Sequence, residues 1–312
     1  MNRRGQKGTA GRPPAPEPTI GADGRRLVVS WIAVLLLSAI PAIVAAQVAG
    51  SVPGWLVVAQ GGIVALLVLA AILVPRLRPL WRYGVSAGAL IAFSWAATLV
   101  DWNVPALQGL LGGSAFDARM QAEQTGKLAV TFGMIAVLLA MRLRPRDFFL
   151  VPGDLTAPIR PVRLLGFPRP DTWRRFGLIW GFGIAGALAV VGFALVRPEP
   201  SQLEALLPVA PAIVVYAALN AFSEEMTYRA PMLATLEPVV GGRHALWQAA
   251  VFFGVAHYFG IPGGLVGAVL SIFMGWMLSK AMLETRGLFW AWWIHFLSDV
   301  VIFSFIALGL TR

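Results

Sequence analysis

The sequence predicts an all-α fold, a polytopic transmembrane helical bundle of about eight or nine spans. Three observations predict it. Of 312 residues, 58% are hydrophobic and only 13% charged, too little polar surface for a soluble chain of this length. The apolar residues fall into runs near the ~20 needed to cross a bilayer. Arginines gather in alternate connections between those runs, as they do where basic loops stay on the cytoplasmic side.

Residues 1–26 are rich in Gly, Pro and Arg and nearly free of large apolar side chains. Such a segment buries too little surface to fold, and a disordered basic cytoplasmic tail is expected. The next run is longer than a signal-peptide core and lacks a convincing cleavage site, so it reads as a retained first span. The candidate spans are 27–49, 54–74, 83–100, 126–142, 176–196, 205–234, 244–259, 264–281 and 288–309. The first four make N-terminal transmembrane helices over 27–142, and the last five a second bundle over 176–310. Between them, 143–175 mixes Arg and Pro with Phe148, Phe149, Leu164 and Trp173, and reads as a cytoplasmic or interfacial segment. Asp171-Thr172 looks like a helix start for Trp173. Lys127, at the edge of a short run, is expected to snorkel.

The turn at 75–82 carries Arg76, Arg78 and Arg82, and 143–175 carries seven arginines, whereas the 101–125 loop is mainly acidic. The expected protein is a multi-pass cell-membrane protein with a cytoplasmic N-terminus. The net charge of +10 belongs to lipid headgroups rather than nucleic acid. The absence of cysteine excludes disulfides, thiolate chemistry and Cys-based zinc sites.

Ionisable groups inside apolar sequence mark the chemistry. They fall in three patterns: Glu224-Glu225-x-x-x-Arg229, Phe253-x-x-x-His257 and His295-x-x-x-Asp299. A charged group at membrane depth costs at least ~2.5–3.5 kcal/mol unless it is paired or lines a wet cavity. Adjacent glutamates on a helix point about 100° apart and do different work. Glu225 and Arg229, spaced i,i+4 with the acid first, are expected to pair as a brace. Glu224 has only Asn220 and Tyr228 at that spacing, as a general base or metal ligand would, or as a helix-end carboxylate in water would. His257 alone also suits a satisfied core residue. His295 and Asp299 suit two metal ligands, a carboxylate-oriented imidazole or an inert pair. Such a set, with or without a divalent ion, can deprotonate water for attack on a carbonyl. No H-E-x-x-H occurs, which excludes the zincin reading.

The three motifs, in this order on successive helices over about 170–310, resemble the CPBP (CAAX protease and bacteriocin-processing, or Abi) family of intramembrane proteases. The resemblance implies a catalytic bundle at 176–310 and an intramembrane endopeptidase or metalloendopeptidase acting on a membrane-embedded or membrane-bound protein or peptide. It implies that Glu224 activates water, that His257 and His295 bind metal or act in catalysis, that Asp299 assists at metal or oxyanion, and that Glu225 and Arg229 brace the site. Glu224, His257, His295 and Asp299 are thus the expected ligands of a divalent metal, zinc. Two departures stand out. Ala230-Pro231 follows Arg229 where many members have Gly, and position 299 is Asp where the prenyl endopeptidases have Asn. The second weakens transfer of a prenylated substrate to this chain. The alternatives are a non-catalytic scaffold or bacteriocin-immunity protein on the same fold, and an ion-coupled transporter.

Overall fold

The computed structural model describes residues 23–107 and 109–310, so most of the tail expected over 1–26 lies outside the described residues. The described chain is all-α apart from one two-stranded hairpin. The expected first span is broken in two, α1 (Gly24–Leu37) and α2 (Ile40–Ala49), bent by 47°. Pro41 lacks an N–H and crowds the preceding turn, and Ser38 Oγ accepts the Ile40 N–H at the bend. Helix α3 (Trp55–Leu73) and α4 (Trp81–Ala97) follow, joined by a 3-10 turn at Pro75–Leu80.

The fourth helix differs most from its sequence reading. Helix α5 runs from Ala115 to Ala140, so it takes in charged residues assigned above to a loop. Ser114 caps it by accepting the Asp117 N–H at 3.0 Å. Asp117, fully buried, accepts Tyr216 Oη at 2.5 Å and the Gly113 N–H at 3.0 Å. Lys127 is therefore mid-helix and turned inward, not at an end and snorkelling.

The 143–175 segment folds onto the arginine-rich end of the bundle. Arg144 hydrogen-bonds Asp147 from both backbone and side chain, which holds the Asp147 carboxyl below the ordinary carboxylate range. Strands β1 (Pro158–Ile159) and β2 (Asp171–Thr172) pair antiparallel, and Thr172 caps α6 (Trp173–Val196). Gly153 (φ +82°) lies against the turn after residue 285, where a Cβ would meet Thr285 O at 2.6 Å. That turn is anchored by Asp154 N–H to Thr285 O and Leu288 N–H to Val151 O, each 2.8 Å.

After the short α7 (Pro200–Glu204), the motif-bearing run is continuous: α8 (Ala210–Glu224), a π-turn at Glu225–Arg229, then α9 (Ala230–Val240). Helices α10 (Gly242–Ala256), α11 (Gly264–Thr285) and α12 (Phe289–Leu310) complete the fold. Helices α10 and α11 pack tightly; a Cβ on Gly254 would lie 2.4 Å from the Ile272 backbone nitrogen.

Each expected segment forms helix, but the expected count of spans is not met by length and composition. Among the described residues four helices, α3, α6, α11 and α12, are long and apolar enough to cross a membrane, or five spans if α1 and α2 form one. The others are short (α4, α10) or carry buried charge (α5, α8 with its π-turn). The spans wear their apolar side chains outward: Val58, Leu66 and Ile72 of α3 and Val190, Val191 and Leu195 of α6 are all exposed. An exposed apolar face this large marks a membrane protein.

Candidate active site

The site forms where α5, α8 with its π-turn, and α12 meet, with α10 closing one side. Pro231 explains the π-turn. It has no N–H for the Thr227 carbonyl and its ring crowds that position, and the bond closing the turn runs instead from the Ala230 N–H to Glu225 O. Turns of this kind cluster at functional sites. Here the wider turn carries Glu225 and Arg229 at its two ends, both fully buried.

Arg229 Nη1 donates to Glu225 Oε1. The guanidinium also lies 4.5 Å above the Phe253 ring, a cation–π contact sheltered from water. The same Glu225 oxygen hydrogen-bonds His295 Nδ1 at 2.8 Å. An ionised carboxylate has no proton to give, so His295 carries its hydrogen on Nδ1 and presents Nε2 to the other side. There Nε2 faces Glu224 Oε2 and Asp299 Oδ2, each at 3.6 Å.

Two residues outside the expected set complete the cluster. Lys127 Nζ reaches Asn220 Oδ1 at 2.6 Å, Glu224 Oε1 at 3.2 Å and Glu123 Oε1 at 3.1 Å. Its three donors thus have three acceptors. Glu224, which has no cation on its own helix, receives one from α5. Asn220 Nδ2 donates to Glu224 Oε1 at 3.2 Å and to Asp299 Oδ2 at 2.9 Å. Asn220 ties Lys127, Glu224 and Asp299 into one network.

His257 sits in the 3-10 turn ending α10, with Nδ1 3.0 Å from Phe253 O. That contact makes Nδ1 the donor and leaves Nε2 a lone pair. The Phe253 ring joins the two imidazoles, 4.5 Å from His257 and 5.9 Å from His295 between centroids. Glu224, Glu225, Arg229, His295 and Asp299 are in direct polar contact, and His257 adjoins them through Phe253.

Charge decides what the site wants. Four carboxylates (Glu123, Glu224, Glu225 and Asp299) face two cations, Lys127 and Arg229. The excess negative charge is left for a proton on His295 Nε2 or a bound cation to offset, since uncompensated charge in an apolar interior is costly. The pairwise spacing also suits metal: two donors ~2.1 Å from a tetrahedral zinc lie roughly 3.4 Å apart, near the 3.6 Å seen twice here. Among the described residues, however, no three His, Asp or Glu side chains close round one point.

Glu224 and Lys127 open onto a cavity of about 180 Å³ between α4, α5 and the π-turn, lined also by Ser94, Thr227 and Tyr228. At about 30 Å³ per water, it has room for a water and a small polar group. A larger apolar groove of about 330 Å³, lined by Leu150, Phe222 and Trp292, holds none of the site residues.

Residues 206–301 match the family model for type II CAAX prenyl endopeptidase Rce1-like proteins. No curated protein matches the chain, and no solved structure does. The matched stretch contains Asn220, Glu224, Glu225, Arg229, His257, His295 and Asp299, while Lys127 precedes it. Over residues 206–301 this membrane chain is thus similar to the CAAX-protease family, in its Rce1-like branch.

Proposed function

We propose that this protein is an intramembrane endopeptidase in which Glu224 activates the attacking water. The observation that carries the reading is the convergence of Glu224 Oε2 and Asp299 Oδ2 on His295 Nε2, with Glu224 also lining a cavity in an apolar bundle. Glu224 takes a proton from water as its oxygen attacks the peptide carbonyl carbon. The resulting oxyanion is stabilised by the N–H of a His295 protonated on Nε2, a form that offsets part of the cluster's negative charge. The C–N bond then breaks, and Glu224 returns its proton to the departing amine. Asn220 and Lys127 hold the Glu224 carboxylate in place, and Glu225 with Arg229 fixes His295.

Zinc would be held by Glu224, His295 and Asp299 with His257 Nε2, and when bound would acidify a coordinated water. The substrate is a membrane-embedded or membrane-bound protein or peptide. Helices α4, α5, α8–α9 and α10 lie in the bilayer with the four apolar spans, and the basic N-terminus faces the cytoplasm.

The test is metal content and peptidase activity of the protein purified in detergent, wild type beside His257→Ala. Stoichiometric zinc lost with His257, together with cleavage, makes it a metalloprotease. Cleavage without bound metal makes it a glutamate-dependent protease. A folded protein with neither overturns the reading in favour of a scaffold.

Lys127 offers a second check. Lys127→Met removes a charge-assisted contact to the water-activating group, a contact of about 1.5–3 kcal/mol. We expect kcat to fall about 10- to 100-fold with KM little changed, and Lys127→Arg to recover part of it. Unchanged kcat in a folded Lys127→Met would remove Lys127 from the mechanism.

A further inference from the structure

A second site lies away from this chemistry, where α1 begins and α3 ends. A groove of about 440 Å³ runs between them, lined by Val28, Val29, Val74 and Leu77, with Arg25 and Arg76 on its rim. Arg26 Nε donates to Arg76 O at 2.7 Å and pins the two segments together. Arg25 and Arg76 are exposed, and among the described residues neither is in an ion pair. The neighbouring Asp23 is turned to the Arg25 backbone N–H, at 3.1 Å.

The surroundings place this groove at headgroup level. Val74 directly follows α3, the most apolar of the spans, and Arg76 follows two residues later. Trp81, partly exposed, lies next along with the Arg82 guanidinium 5.5 Å from its ring. Aromatic and basic side chains at the end of an apolar span sit at the membrane–water interface. The groove is thus apolar along its wall and cationic at its rim.

We propose that this groove binds one anionic phospholipid, its phosphate on Arg25 and Arg76 and an acyl chain along Val28, Val29, Val74 and Leu77. Basic pockets between membrane helices take such headgroups. The chain's own residues 1–22 are a poor occupant, because Arg3, Arg4, Lys7 and Arg12 outweigh Glu17 and would meet like charge. The site is independent of proteolysis.

The test is native mass spectrometry of the full chain, released from detergent with phosphatidylglycerol or with phosphatidylcholine of the same acyl chains. We expect one phosphatidylglycerol retained and phosphatidylcholine lost. Arg25→Gln/Arg76→Gln should lower retention about tenfold or more, at roughly 1 kcal/mol per arginine near the surface. Val28→Glu, at an exposed wall position, should do the same, and Arg3→Gln/Arg4→Gln should not. Equal retention of both lipids, an unchanged Arg25→Gln/Arg76→Gln variant, or an equal loss in Arg3→Gln/Arg4→Gln would overturn the proposal. So would displacement of the lipid by millimolar inorganic phosphate, because the apolar wall would then contribute nothing.

Discussion

Glu224→Gln is expected to lower peptide cleavage by about a thousandfold or more while the protein remains folded. General-base assistance contributes about 10²–10⁴ in rate, and an amide cannot take the proton from water. The substitution keeps the shape of the side chain. Its carbonyl oxygen can still accept from Lys127 Nζ and Asn220 Nδ2, as Glu224 Oε1 does now. Lys127 also retains Glu123 at 3.1 Å, so no cation is orphaned. Removing one carboxylate relieves a cluster carrying excess negative charge, and the melting temperature should hold or rise. The measurement is initial rate on a peptide substrate beside thermal unfolding in detergent. Full activity in the folded variant would sink the role given to Glu224. A scaffold would also keep its fold, but would have no cleavage to lose.

Much of this site was legible in the sequence because the bilayer makes buried charge conspicuous. Glu224, Glu225, Arg229, His295 and Asp299 stand out against apolar runs, and helical spacing alone pairs Glu225 with Arg229. What spacing could not supply was the third dimension. Glu224 has no cation at i±4 along its own helix, and Lys127 arrives from a segment almost a hundred residues earlier. The signal was present, since Lys127 interrupts an apolar run as the others do. It was misread because the run was taken to begin at 126, which put the lysine at a membrane surface. The Ser114 cap moves the helix start to Ala115 and Lys127 to its middle.

The π-turn was hidden for a related reason. Pro231 gives a sequence-level hint of a bent helix, but whether the chain kinks, breaks or widens depends on what packs against it. Here Thr227, within the turn, meets Thr131 of α5 at 2.9 Å, and Arg229 stacks on Phe253 of α10. Asn220 was passed over because asparagine in a helix is unremarkable until its four contacts are seen: to Lys127, Gln124, Glu224 and Asp299. Length and composition alone give four or five of the expected eight or nine spans. Of the helices that carry the site, α12 registers as a span, whereas α5, α8 with its π-turn, and α10 are too short or too charged to do so on composition alone.

Arg229→Leu should be the most destabilising substitution at the site. Arg229 and Glu225 are both fully buried and share a charge-assisted hydrogen bond. Replacing a whole ion pair with apolar residues can be neutral, but breaking one by removing a single partner costs about 3–5 kcal/mol. With Arg229 gone, Glu225 would keep only His295 Nδ1, and its other oxygen already lacks a partner. The guanidinium's contact with Phe253 goes as well, and with it part of the packing that places His257 beside that ring. Activity should therefore fall with stability. Because the cost lies in the stranded carboxylate, Glu225→Gln in the same chain should recover a large part of it, and the two changes should be strongly non-additive. Arg229→Lys should fall between, since an ammonium restores charge but not the planar stack. Thermal unfolding of wild type, Arg229→Leu, Glu225→Gln, the double variant and Arg229→Lys in one detergent reads this directly. An Arg229→Leu variant that melts with the wild type, or a double variant no better than Arg229→Leu alone, would show that the pair does not brace the bundle. A scaffold on this fold predicts the same loss at Arg229, so the two residues answer different questions: Arg229 reports whether the site is built as described, and Glu224 whether it cuts.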